Sequence, residues 1–410
     1  MNIYNFIKSL NSDEKSLISK HLSCSSKSVS DDGGILKLLW NYIINNLSVT
    51  LTDEVVSKAI GSTSNNRSFE KSKSRLFIRI LDVFTSEAFI NKETLLDESS
   101  RSLIAIRKKL LQVRILRFKT NKISSEVELH LLNEIIEKSK ELEQYEATVE
   151  ALVMKKYLVG NRLGYSAFLE VQQEINFYSE CNRSLRLAND FYYIFNTNKG
   201  LISRYSENEL TNQLNEEIKR LENDPFLTIS SSIQHYYKIF LLAREQLKGN
   251  HVECVNLCLE IINLLKRSKK LGRPEKFGMT YGDLAESFVL NKNYREAISA
   301  IKLCQSYLSL DSLNFLLAKE IEFFACFYNK QYDQCRDVVE TLLSHNKRDT
   351  GQIRFDKYTY YSGCLDFMQG RFKEALRISS LALQIMKDKP RWDLGVRYLK
   401  ILCLIELGQI

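Results

Sequence analysis

The chain has 410 residues, is 44% hydrophobic, and carries 58 Lys and Arg against 50 Asp and Glu. That apolar content excludes a disordered chain, and only 15 Gly and 3 Pro exclude a turn-rich all-β protein. The opening MNIYNFIKSL is too short and polar for a signal peptide, no stretch reaches the ~18 apolar residues of a membrane span, and nine cysteines without framework spacing exclude a disulfide scaffold, so an all-α chain in the cytoplasm is expected.

Residues 1–125 read as a helical N-terminal domain of about five helices. IYNFIKSL and NSDEKSLISKHL place apolar residues at helical spacing, with Ser12 or Asp13 as a cap. The polar run Ser23–Gly34 is a loop on composition, and Gly34 releases the apolar helix ILKLLWNYIINNL. Thr52 followed by acids opens the next helix, and GSTSNNRS is another loop. Beyond it a long helix carries an apolar stripe through Phe69, Leu76, Ile80 and Phe84, and Arg101–Phe118 is a further helix. Residues 65–122 hold 14 Lys or Arg against 6 Asp or Glu, an excess equal to the whole chain's +8. Clustered cations of this kind can neutralise phosphates, which makes Lys71, Arg75, Arg79, Arg107, Arg114 and Arg117 candidate nucleic-acid contacts. The Arg101–Lys122 group spreads around its helix, so a solvated face explains it as well.

Residues 126–230 read as irregular helical pairs. Two amphipathic runs flank ELEQYEA, where Tyr145 and Thr148 form an aromatic–x–x–small phrase. Residues 161–196 are expected to hold two helices, and SENELTNQLNEEIKRLEND a solvated one. Pro225, Pro274 and Pro390 each follow a polar break and read as helix starts.

Residues 231–410 form the clearest pattern. NKNYREA (Asn291–Ala297), NKQYDQC (Asn329–Cys335) and QGRFKEA (Gln369–Ala375) each join a turn residue, an aromatic and a small residue three positions on. Tyr294, Tyr332 and Phe372 lie 38 and 40 residues apart, a recurrence that marks stacked helix pairs sharing one core. The expected pairs are 275–291 with 294–308, 312–329 with 332–345 and 355–369 with 372–387, preceded by a pair split at Gly249. The last helix, 391–407, is apolar nearly all round. An array cap needs a polar outer face. The chain is therefore expected to continue past 410, or to cover this helix with a partner or a second copy.

These residues resemble the tetratricopeptide-repeat family. Tyr281, Leu284, Ala285 and Phe288, then Tyr294, Ala297, Ile301 and Cys304, follow its pattern, as do the small residues Gly363, Gly370, Ala375 and Ala382. Phe323, Ser362 and Asp366 depart from it, as does the period. The opening FIKSLNSDEK also resembles uncharacterised bacterial α-solenoid proteins. The resemblance implies a right-handed α-solenoid whose first-helix positions line a peptide groove. Carried over position by position, these are Gly282, Glu286 and Val289, then Glu320, Phe324 and Phe327, then Lys357, Tyr360, Cys364 and Phe367.

No Gly-rich phosphate loop, GxSxG elbow or HExxH pair is present, and the five histidines are dispersed. His251, Cys254 and Cys258 share a helix face at ligand-like spacing, but Cys254 falls on the repeat's small position, which favours packing over zinc. The reading is a non-enzymatic adaptor or regulator that binds another polypeptide, with no cofactor and no metal. The second reading is a nucleic-acid-associated regulator whose array senses a signal or dimerises.

Overall fold

The computed structural model describes residues 3–25, 32–47, 49–61, 67–90, 96–118, 125–199, 207–310, 312–349, 353–385 and 392–409. Among these, every regular element is an α-helix, and none is long and apolar enough to cross a membrane. Contacts divide the chain into two compact units, Met1–Lys140 with Glu150–Phe168, and Glu141–Val149 with Leu169–Ile410.

The first unit contains α1 (Ile3–Ser9), α2 (Ser12–Ser25), α3 (Asp32–Asn45), α4 (Asp53–Ala59), α5 (Arg67–Phe84), α6 (Glu87–Ile90), α7 (Glu98–Phe118), α8 (Ser125–Glu141) and most of α9 (Tyr145–Leu163). The helix α4 starts where expected, because the Thr52 side chain accepts from the Val55 N–H and acids fill the first turn. The stripe Phe69, Leu76, Ile80 and Val83 of α5 is buried against Ile7, Ile18, Leu39 and Trp40. Two polar ties pin this core. The Trp40 indole donates to Ser19 Oγ at 2.9 Å, and Asp53 accepts from the Tyr4 hydroxyl and Lys73 Nζ, each at 2.6 Å.

The boundary expected at 125 is passed by this unit, which runs on through α8. Across that point cations of α7 meet acids on α8 and α9: Lys109 on Glu134, Arg117 on Glu128, and Arg114 on Glu150 at 2.6 Å. Ser23, Cys24, Ser25 and the two glycines before Ile35 fall in helices. Of the expected 23–34 loop, 23–25 and 32–34 are therefore helical; 26–31 lie outside the described residues, as do 62–66 of GSTSNNRS.

The second unit holds α10 (Tyr165–Lys199) from Leu169 onward, α11 (Glu207–Glu222), α12 (Ser231–Leu247), α13 (His251–Arg267), α14 (Pro274–Leu290), α15 (Tyr294–Tyr307), α16 (Leu313–Tyr328), α17 (Tyr332–Asp349), α18 (Ile353–Met368), α19 (Phe372–Ile385) and α20 (Trp392–Glu406). Residues 161–196 do not split into two helices; α10 is one helix of 35 residues, with Val171, Ile175, Cys181, Ala188 and Phe195 buried along it. No Gly or Pro interrupts it between Tyr165 and Lys199. Pro274 begins α14 as expected, whereas Pro225 sits in the turn before α12 and Pro390 lies outside the described residues.

From α12 onward each pair closes with the same turn. Gly249, Lys292, Lys330, Gly370 and Gly408 all have φ between +60° and +76°. The next residue's N–H then reaches back to a carbonyl five positions earlier: Asn250 to Glu245, Asn293 to Phe288, Gln331 to Cys326, Arg371 to Asp366 and Gln409 to Leu404, at 2.8–3.0 Å. This 6→1 bond with a left-handed residue at its centre satisfies carbonyls that a helix end leaves unpaired. The following helix opens at once, with its aromatic or His251 first and the small residue three later, so Cys254, Ala297, Cys335 and Ala375 are all fully buried. Glu143, at φ +49°, precedes Tyr145 and the fully buried Thr148 in the same arrangement.

Asp366, one of the departures from the family pattern, is buried and accepts from Arg336 at 2.8 Å and Arg371 at 2.6 Å, tying α17 to the turn after α18. Burial leaves its carboxyl above the usual range.

Candidate functional site

Counting back from the left-handed turn residue puts the first helices of successive pairs in one register. Seven residues before it stand Leu242, Ala285, Phe323 and Gly363 on α12, α14, α16 and α18. Where that residue is small, the helix touches the next first helix: α14 packs on α16, and α18 on α20. At Gly363 an added Cβ would sit 3.1 Å from Leu399 of α20. Where it is large, at Leu242 and Phe323, the side chain fills the space between successive first helices. Phe323 stacks on Tyr361 of α18 with ring centroids 4.7 Å apart. A groove of about 640 Å³ is lined chiefly by α14, α15 and α16, with Lys357 and Tyr361 of α18. Leu242 lines a second cavity of about 310 Å³ beside α12 and α14. Both volumes fall in the range of small-molecule and peptide-anchor sites.

Of the positions expected to line a peptide groove, this one collects Gly282, Glu286, Val289, Glu320, Phe324 and Lys357. Phe327, Tyr360, Cys364 and Phe367 do not line it. Phe327 packs edge-on to Tyr332 at 6.1 Å, Phe367 against Phe372 at 5.3 Å, and the Tyr360 hydroxyl lies over Gly395 of α20. Burial raises the Tyr360 phenol and the Cys364 thiol, the latter to about 11. The residues missed by sequence reasoning share a register: Met279 and Leu317 stand thirteen before the turn residue, as the expected Lys357 does, and Asp283, Ile321 and Tyr361 nine before it. The exposed face is therefore turned by about one position from the one the family pattern selects. The recurrence itself was the signal that could have found it.

The groove walls are apolar: Val289, Leu290, Leu317, Ile321, Phe324 and Tyr328. Its charges are unequal. Lys357 is taken by Glu320, which also accepts from the Tyr358 hydroxyl at 2.9 Å. Glu286 is exposed and makes no ion pair with any described residue, so the α14 side carries acid. Burial and the Glu320 charge raise the Tyr361 phenol, which stays neutral.

The nucleic-acid candidates fare differently. Arg107 and Arg114 lie 3.8 and 2.6 Å from Glu150, Arg117 pairs with Glu128, and Arg79 stands 3.9 Å from Asp82. Much of the positive stretch is answered by carboxylates distant in sequence. Lys71 and Arg75 are exposed on α5.

Cys254 and Cys258 point into the core of α13, and burial pushes the Cys254 thiol up to about 11 and that of Cys258 higher. Thiols held neutral are poor metal ligands. Among the described residues no group of three His, Cys, Asp or Glu could hold a metal. No protein-family model matches this chain, and no curated protein matches it.

Proposed function

We propose that the helix pairs are a tetratricopeptide-like, right-handed array that binds another polypeptide along α14, α16 and α18, and that the chain works in the cytoplasm as an adaptor or regulator. The observation that carries this reading is the 640 Å³ groove lined at a repeating register by apolar side chains. The fitting partner segment places two or three apolar side chains, Leu- or Phe-like, between Phe324 and Val289. It sets a Lys or Arg against Asp283 and Glu286, outside the internal Glu320–Lys357 pair. Anchors in such pockets carry most of the binding energy, with each truncation costing ~2 kcal/mol or more. α20, which exposes Leu394, Tyr398, Ile401, Leu402 and Ile405, is a second surface for that partner or for another copy.

The test places benzoylphenylalanine at Val289 and, as control, at exposed Leu303 of α15, which does not line the groove. Irradiation in cells should give a polypeptide adduct, identified by mass spectrometry, from position 289 only. Equal yields from both positions, or none, would sink the reading.

The nucleic-acid reading rests on the exposed Lys71 and Arg75 of α5. If it holds, duplex binding weakens steeply with salt and disappears in a Lys71→Glu/Arg75→Glu chain. Binding that is unchanged by the reversal rejects it.

A further inference from the structure

The second cavity, of about 310 Å³, lies wholly within the second unit between α10, α12 and α14. Its lining includes Tyr192, Tyr193, His235, Tyr236, Lys276 and Asp283. Two of these groups lack a polar partner. His235 is 5% exposed, its Nδ1 is sealed in protein, and neither ring nitrogen makes a hydrogen bond with a described residue. Lys276 is half-buried and makes no ion pair or hydrogen bond through its ammonium with any described residue. Protein interiors seldom leave polar atoms in this condition, and an unpaired ammonium costs more than a neutral group.

The surroundings deepen the deficit. Lys276 is in the first turn of α14, where the helix dipole already disfavours a cation. Arg273, at the N-cap, makes no side-chain capping bond, and Lys270 is close by. Burial, with Lys270 and Arg273 adding like charge against the pull of Glu143, brings the Lys276 ammonium down to about 8. Burial and the nearby Lys276 bring His235 down to about 3, so its imidazole is neutral and offers one N–H and one acceptor. Asp283 acts on the far side of the cavity, where its charge adds to burial in raising the Tyr192 phenol. The cavity is thus positive at one end, acidic at the other and aromatic between.

We propose that this cavity binds a small organic anion, with its oxygens on Lys276 Nζ and the His235 imidazole and its flat apolar body among the tyrosines. One carboxylate or phosphate head answers both unpartnered groups, as a charge-assisted acceptor for the ammonium and an acceptor for the imidazole N–H. Asp283 restricts the far end to uncharged or cationic groups, so a second anionic head is refused. The cavity's size admits one ring and its head. Met279 and Asp283 line both this cavity and the groove, yet the assignment stands on His235 and Lys276 alone and survives if the groove binds no polypeptide.

The test uses the full chain with three probes of one body and different heads: benzoate, phenyl phosphate and benzylamine. Titration followed by melting temperature and calorimetry should show saturable binding of benzoate, phenyl phosphate or both, and none of benzylamine. Which anion binds identifies the head. Lys276→Met keeps the stem and removes the charge, so the probe-free variant should melt above the parent while its affinity for the anion falls about tenfold or more. His235→Phe should weaken the same anion with the fold intact by circular dichroism. Silence from both anions, a preference for benzylamine, or an unchanged response in both variants overturns the proposal. So does a Lys276→Met chain that melts lower or fails to fold, because the lysine would then be a satisfied structural group.

Discussion

Glu143 shows how one side chain can fix a junction. It occupies a left-handed position at φ +49°, and its carboxylate accepts from the Ser231 and Ser232 N–H groups and from the hydroxyls of Ser230 and Ser231. These are the free amides at the N-terminus of α12, so a buried anion here is both hydrogen-bonded and favoured by the helix dipole. Burial raises its pKa, but the hydrogen bonds from Ser231 and Ser232 outweigh burial and leave it below the ordinary 4.5. A depressed carboxyl stabilises the fold above the unfolded-state pKa and loses that contribution as pH falls through the folded value. Glu143→Gln should therefore cost ~1–3 kcal/mol at pH 7 in urea unfolding. The gap to the parent should narrow as pH drops below 4.5. A gap that is constant with pH would show that the charge is not what matters. The turn residues make an opposite pair of tests. An L residue in the left-handed region costs about 1–2 kcal/mol that glycine avoids. Lys330→Gly should then raise the unfolding midpoint and Gly370→Ala lower it, each by about 1 kcal/mol.

At the scale of the element, the residue seven before each turn sets the spacing of the first helices. Ala285 and Gly363 let neighbours meet, whereas Phe323 joins α16 to α18 by stacking on Tyr361. Phe323 is buried among Phe324, Phe327 and Tyr361, so Phe323→Ala should cost about 3–5 kcal/mol, less whatever collapse of α18 onto α16 recovers. That collapse would shift Lys357 and Tyr361, which line the groove, and crystallography of the variant would register it. The same rule explains a limit of reading from sequence. Phe323 stands out in the letters only as a departure from a family pattern. It becomes the link between α16 and α18 once its ring partner, 38 residues away at Tyr361, is in place.

At the scale of the whole molecule, the two units have separate cores, with Trp40 fully buried in the first. In a Trp392→Phe background, Trp40 fluorescence reports the first unit alone. The Phe323→Ala change should lower the circular-dichroism midpoint while leaving the Trp40 midpoint in place. A parallel shift of both probes would show one cooperative unit. The sequence by itself determined the helical class and the pairs from α12 to α20, because a 38–43 residue recurrence of turn, aromatic and small residue leaves only stacked helix pairs. It also identified the small positions that are buried, since their spacing from the turn is local. It could not reveal that Arg114 meets Glu150, that Glu143 caps α12, or that α10 is unbroken. Nor could it show that His235 and Lys276 face one cavity without polar partners. Those depend on which distant helices stand side by side. Periodicity along a chain fixes the face a residue takes, and only packing decides what that face meets.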